Sequence, residues 1–308
     1  LMMALNIRPS PDWSPDERDR RPMRMVVQSD SLPAPAGTPL QQNGPHSRVF
    51  SPIYQKPGTE IARDSVQVPG SPLILREGEP TSIWVVNLLD EPTQIHWHGL
   101  EIEAPFDGVV VVGGYNGLPT PPIMPGDSFE VRYTPERAGS FMYHTHMSDI
   151  RQQGGGLYGS IVVVPEGSEW DPEHDKIMLV GFHPGAPGPH LNGQQGELEP
   201  MELEALESYR FRFMNISLGA TVNFRLTRER DPGLPTRWTL AAKDGAELPP
   251  HRRTRPLADM RVAVGETYDV IVELPIPGGR FNPPEYSLEM WGDGLLAKIP
   301  IIVKTPEG

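Results

Sequence analysis

Two stretches, Ile95-His96-Trp97-His98-Gly99 and Tyr143-His144-Thr145-His146, decide how this chain is read. Each lies inside a β-like run, where residues i and i+2 point to the same face. His96 and His98 therefore face one way and Trp97 the other. His144 and His146 likewise share a face that Thr145 does not. Such pairs can aim four imidazoles at one pocket, and imidazole suits copper, zinc, iron and nickel. With nine histidines in the chain, chance supplies only roughly a quarter of one such pair, so two pairs carry weight.

Outward from these pairs, short apolar runs follow one another: Pro72–Leu75, Thr81–Leu88, Thr93–Leu100, Ser128–Tyr133, Ser140–Met147 and Gly159–Val164. Turn residues such as Asp90-Glu91-Pro92 and Pro125-Gly126-Asp127 separate them. Strands at this spacing predict an all-β sandwich or barrel. The stretch Pro165–Pro172 breaks the pattern and reads as a domain boundary. A second series follows: Lys176–Phe182, Tyr209–Ile216, Val222–Leu226, Trp238–Ala241, Thr267–Glu273, Tyr286–Met290 and Lys298–Val303. Tyr209, Phe211 and Phe213 alternate with Arg210 and Arg212, the pattern of a half-buried antiparallel strand. Only Glu197–Ser208 has mild helical spacing, weakened by its acidic residues and proline. At the start, Met23–Gln28 reads as a strand between a Pro/Asp/Arg-rich linker and a Pro/Gly/Ser-rich stretch from Ser31 to Ser47. The expected organisation is 1–22 as the end of an upstream domain plus linker, 23–165 as one domain and 166–308 as another.

Composition narrows the chemistry. The 308 residues suffice for two domains with sizeable cores. The net charge of −13, with no basic cluster, argues against nucleic acid as a partner. No apolar run reaches the length of a membrane span. Cysteine is absent, so disulfides, thiolate zinc sites, thiol catalysis and a blue-copper centre within this chain are all excluded.

The histidine pairs sit in a wider pattern. His96-Trp97-His98-Gly99, Asp107-Gly108-Val109, Pro125-Gly126-Asp127, Ala138-Gly139-Ser140-Phe141-Met142-Tyr143-His144-Thr145-His146 and Gly156-Leu157-Tyr158-Gly159 follow in order. Together they resemble the trinuclear-copper half of a multicopper oxidase, the family of the laccases. Leu191-Asn192-Gly193, Tyr209–Ile216, Lys243-Asp244-Gly245 and Gly265–Val270 resemble that family's copper-free domain. The resemblance implies two cupredoxin-like Greek-key β-sandwich domains, the first carrying half of a trinuclear copper site.

Carried over to this sequence, the resemblance makes His96 a ligand of type 2 copper. It makes His98, His144 and His146 ligands of the type 3 pair. Asp107 takes a catalytic role, supporting the type 2 water and relaying protons to dioxygen, although an Asp before Gly is commonly a turn former. The remaining ligand pairs and the type 1 site are absent from the chain. Leu1–Ile7 resembles the strand after a final type 1 ligand, which implies a type 1 copper domain upstream or in a neighbouring subunit. The implied reaction couples one-electron oxidation of a phenol, aromatic amine or metal ion to reduction of dioxygen to water, in a periplasmic or extracellular setting. Without its partner domain the isolated chain is expected to lack both the blue colour and oxidase activity. Val110–Thr120 departs from the family pattern beside the cluster.

Two other classes fit part of the pattern. A cupin would use three histidines with Glu103 to bind one iron, manganese or zinc ion. A non-catalytic module would bind copper and never reduce oxygen. Asp149, Glu101 and Glu103 are possible partners for ligand N–H groups. His46, His174, His183, His190 and His251 read as isolated loop residues near Pro or Gly.

Overall fold

The structure, a computed structural model, describes residues 18–33, 46–110, 114–115, 118–184, 187–276 and 285–305. Leu1–Ile7 lies outside the described residues. The first half contains β1 (Arg21–Pro33), β2 (His46–Gln55), β3 (Leu73–Arg76), β4 (Thr81–Asn87), β5 (Ile95–His98), β6 (Gly114–Tyr115), β7 (Leu118–Pro119), β8 (Ser128–Tyr133), β9 (Gly139–Thr145) and β10 (Tyr158–Val164). Eight of these strands form two sheets of four, in the orders β2-β1-β4-β8 and β3-β10-β9-β5. The small β6–β7 ribbon occupies part of the unusual Val110–Thr120 stretch.

The second half contains β11 (Asp175–Phe182), β12 (Pro189–Leu191), β13 (Gly196–Glu197), β14 (Met201–Glu204), β15 (Ser208–Asn215), β16 (Val222–Arg228), β17 (Asp231–Pro235), β18 (Thr239–Lys243), β19 (Ala246–Glu247), β20 (Asp259–Val262), β21 (Thr267–Glu273), β22 (Tyr286–Trp291) and β23 (Leu295–Lys304). One sheet runs β12-β11-β15-β21-β18-β19. The other runs β13-β23-β22-β16-β17, with β14 beside β23 and β20 beside β16.

Three differences from the sequence reading have physical causes. Glu197–Ser208 is not helical. It holds β13 and β14, which pair with β23, and Leu203 and Ala205 alternate into the core with exposed Glu204 between them. The strand at Met23–Gln28 is longer than expected. Paired with β2 and β4, β1 runs from Arg21, inside the expected linker, to Pro33, inside the Pro/Gly/Ser-rich stretch. Third, β15 is not half exposed: Arg212 is buried, because the first sandwich covers the face that the arginines occupy.

Alternation of side chains creates three apolar clusters. Ile95, Trp97, Phe141, Tyr143, Ile161 and Val163 point into the first core. Phe211, Phe213, Phe224, Val270 and Leu288 belong to the second. Between them lies a seam in which Met142, Tyr158, Val162 and Val164 of the first half meet Leu179, Met214 and Ile216 of the second. β9 and β10 are buried at every position. A strand covered on both faces reads as a continuous apolar run, and β10 (Tyr-Gly-Ser-Ile-Val-Val-Val) does so.

Candidate metal centre

The seam decides where the histidines lie. β5 and β9 are antiparallel neighbours, with His96 opposite His144 and His98 opposite Met142. Residues directly opposite on adjacent strands lie side by side. Trp97 and Tyr143, also opposite each other, enter the first core on the other face. His146 lies just past the end of β9. All four rings converge. Centroids are 5.7 Å apart for His96–His98, 5.3 Å for His96–His144, 5.6 Å for His96–His146, 5.8 Å for His98–His144 and 5.8 Å for His144–His146. For His96, His98 and His144, one nitrogen of each ring lies within 4.8 Å of the others.

Hydrogen bonds orient the rings. His96 Nδ1 donates to the Asp107 carbonyl at 2.8 Å, and the Asp107 carboxylate lies 3.4 Å from the same nitrogen. His144 Nδ1 donates to the Thr145 carbonyl at 2.7 Å. Both Nε2 atoms thus keep their lone pairs, the arrangement that metal-binding histidines adopt. The Asp107-Gly108 turn presses against β5. Gly108 has φ +77°, and a Cβ there would stand 1.7 Å from the Ile95 carbonyl oxygen. Only glycine lets the turn come this close.

The second sandwich completes the wall of the site. The Nε2 side of the His98 ring lies against Gly265, where a Cβ would stand 3.4 Å from the nitrogen. Burial, followed by the neighbouring His96, lowers the His98 pKa. Burial, followed by the surrounding imidazoles, lowers that of His144 to about 3. These two rings are therefore neutral near pH 7, the form that binds a metal.

Sequence reading missed one positioning residue. Gln152 is buried in the π-helical turn Asp149–Gln153 that follows His146. Its Oε1 accepts from Thr93 and Thr145, each at 2.9 Å, and its amide donates to the Pro92 carbonyl. It thus ties the approach to β5 to the residue between His144 and His146. A polar residue before Gly154-Gly155-Gly156 reads as loop, so no local signal marked it. Of the suggested acidic partners, Glu101 pairs with Arg137 at 2.8 Å and Glu103 is exposed. Glu103 does not belong to the histidine group, which removes the carboxylate a cupin would need.

The other histidines divide. His174 pairs with Asp171 at 2.7 Å and stacks on Tyr209. His251 is exposed in a short 3₁₀ turn. The side chain of His46 lies outside the described residues. His183 and His190, expected to be isolated, are not: their ring centroids are 5.7 Å apart.

Comparison with known proteins agrees with this geometry. Residues 55–168 match a family model described as multicopper oxidase. The chain is 27% identical over 271 residues to a copper resistance protein A homolog of Pseudomonas syringae pv. tomato, covering 67% of this chain and 43% of that protein. It is 38% identical over 110 residues to the multicopper oxidase MCE of Talaromyces pinophilus, covering 34% of this chain and 17% of that one. A multi-copper oxidase from Pseudomonas thermotolerans superposes with a TM-score of 0.67 at 23% identity, covering 94% of this chain and 66% of that structure. The chain thus spans less than half the length of these two curated relatives. Its fold is all-β, built of two cupredoxin-like sandwiches.

Proposed function

We propose that this chain, whose residues 55–168 match a family model described as multicopper oxidase, supplies half of the ligands of a copper cluster in a laccase-like oxidase. The convergence of four imidazoles from β5 and the end of β9 carries this reading. In it, His96 serves a type 2 copper and His98, His144 and His146 serve a type 3 pair. The donor set fits: neutral nitrogen ligands without thiolate suit both copper oxidation states. When bound, the copper supplies stepwise electron transfer to dioxygen.

The chain's own residues hold and orient. β5 and β9 are paired within one sheet, and ligands on rigid elements are placed more accurately than ligands on loops. The Asp107 carbonyl fixes the tautomer of His96. Its carboxylate, 3.4 Å from His96 Nδ1 and about one-third exposed, is placed to relay protons between solvent and the copper cluster. The remaining ligands and a type 1 copper come from a further domain or subunit. Exposed apolar side chains around the site support that docking. Met147 follows His146, Ile150 is 88% exposed in the next turn, and Val264 precedes Gly265. In this reading residues 23–165 form the copper-bearing domain and 166–308 the copper-free one. A phenol, aromatic amine or metal ion is the electron donor, and the setting is periplasmic or extracellular. Among the described residues no helix is long and apolar enough to cross a membrane.

Copper stoichiometry tests the reading. His96→Ala with His144→Ala should abolish binding at the cluster while far-UV circular dichroism stays unchanged. Unchanged stoichiometry in that variant would overturn the proposal. In the whole oxidase, Asp107→Asn should slow dioxygen uptake with copper content intact.

A further inference from the structure

The second histidine pair lies outside the cluster described above. β11 and β12 pair antiparallel, with Gly181 opposite His190 and Phe182 opposite Pro189. His183 is two residues beyond Gly181, so continued extension of the chain places it on the His190 face. The 5.7 Å between the two ring centroids equals the His96–His98 separation, and the planes meet at 40°.

Several contacts hold the pair in place. His190 is 3% exposed, and its Nδ1 donates to the Gly188 carbonyl at 2.9 Å. This again leaves Nε2 with its lone pair, the pattern of a metal-binding imidazole. Tyr158 packs against Gly181, where a Cβ would meet its ring at 2.3 Å. The Tyr158 hydroxyl donates to the Phe182 carbonyl at 2.7 Å, anchoring the residue before His183. Burial lowers the pKa of both rings, which keeps them uncharged at neutral pH.

We propose that His183 and His190 form a second metal site that takes one cuprous ion between two imidazoles. Among the described residues, the one group of three or more such donors is His96, His98 and His144, so no described residue adds a third His, Cys, Asp or Glu ligand to this pair. Zinc asks for four ligands in a tetrahedron, and cupric ion for a tetragonal set. A d¹⁰ cuprous ion is satisfied by two neutral nitrogens. The site does not depend on the oxidase reading.

The test uses the full 308-residue chain under anaerobic reducing conditions, titrated with Cu(I) against a competing chelator. His96, His98, His144 and His146 are all replaced by alanine, to remove the first cluster. That variant should retain one equivalent of Cu(I), and His183→Ala on the same background should lose it. Retention of no copper by the cluster-deleted variant would overturn the proposal. So would unchanged binding after His183→Ala. Should the cluster-deleted variant not fold, ¹⁵N NMR of the wild-type chain with Ag(I) as a diamagnetic probe decides. Shifted ring nitrogens of both His183 and His190 support the site, and unmoved ones sink it. Failure here with copper still bound at the first cluster leaves the oxidase reading intact. Failure at the first cluster with copper still bound here has the opposite meaning.

Discussion

His144 shows what the site asks of a single residue. Burial dominates its environment and three other imidazoles surround it, so its pKa falls to about 3. The ordinary histidine value is near 6.5. A group whose folded pKa lies below its unfolded one is protonated first in the unfolded chain, so acid favours unfolding. The metal-free protein should therefore be most stable above about pH 6.5 and lose stability progressively toward pH 3. His144 alone contributes a loss of about 2 kcal/mol between pH 7 and pH 5. Urea midpoints across that range measure it, and His144→Gln should flatten the profile. A profile equally steep in the variant would assign the acid sensitivity elsewhere. The identities of the four ring-bearing residues could be read from spacing alone, because i and i+2 share a face in any extended strand. The contact between His96 and the Asp107 carbonyl could not, since a main-chain acceptor leaves no mark on residue type.

β9 carries more than its histidines. Its second face presents Ser140, Met142 and His144 to the other sandwich, and Ser140 reaches a buried ionic network there. Ser140 Oγ donates to Asp269 at 2.6 Å. Arg212 contacts Ser140 at 2.9 Å and Asp269 at 3.0 Å, and it also grips Asp175 through two 2.6 Å bonds. Arg210 adds a 2.6 Å bond to Asp269. Arg212 and Asp269 are 4% and 1% exposed, so removing Asp269 takes a buried acceptor from both arginines and from Ser140 even though Arg212 keeps Asp175 and Arg210 keeps Glu247. Asp269→Ala should cost about 3 kcal/mol, the low end of the range for breaking a buried ion pair from one side, because both arginines keep a second carboxylate. Chemical denaturation measures this. The strand pattern of Arg210 and Arg212 is plain in the sequence, but it predicts a wet polar face. Only packing against β9 turns that face into an interior.

The two sandwiches behave as one body because the seam between them is closely packed. A Cβ at Gly139 would lie 2.3 Å from the Gly245 carbonyl oxygen, so the start of β9 touches the turn after β18 directly. Gly245 in turn packs on Phe141, and Arg137 donates to the Asp244 carbonyl at 3.2 Å. Interfaces this tight couple unfolding of the halves, whereas looser ones let them move independently. Scanning calorimetry should show one cooperative transition for the wild-type chain. Gly139→Val, which wedges the halves apart, should split it in two. A single transition at the same temperature in that variant would show that the halves are not coupled through this contact.

Residue order alone determined the strand-rich fold and the two histidine pairs, because alternation and turn chemistry are local properties. It could not place His96 opposite His144, bring Gly265 against His98, bury Arg212 or join His183 to His190. Each of these depends on which strands become neighbours and which faces are covered. Those choices are made by burying apolar surface between segments far apart in the chain, a non-local free energy that no window of sequence contains.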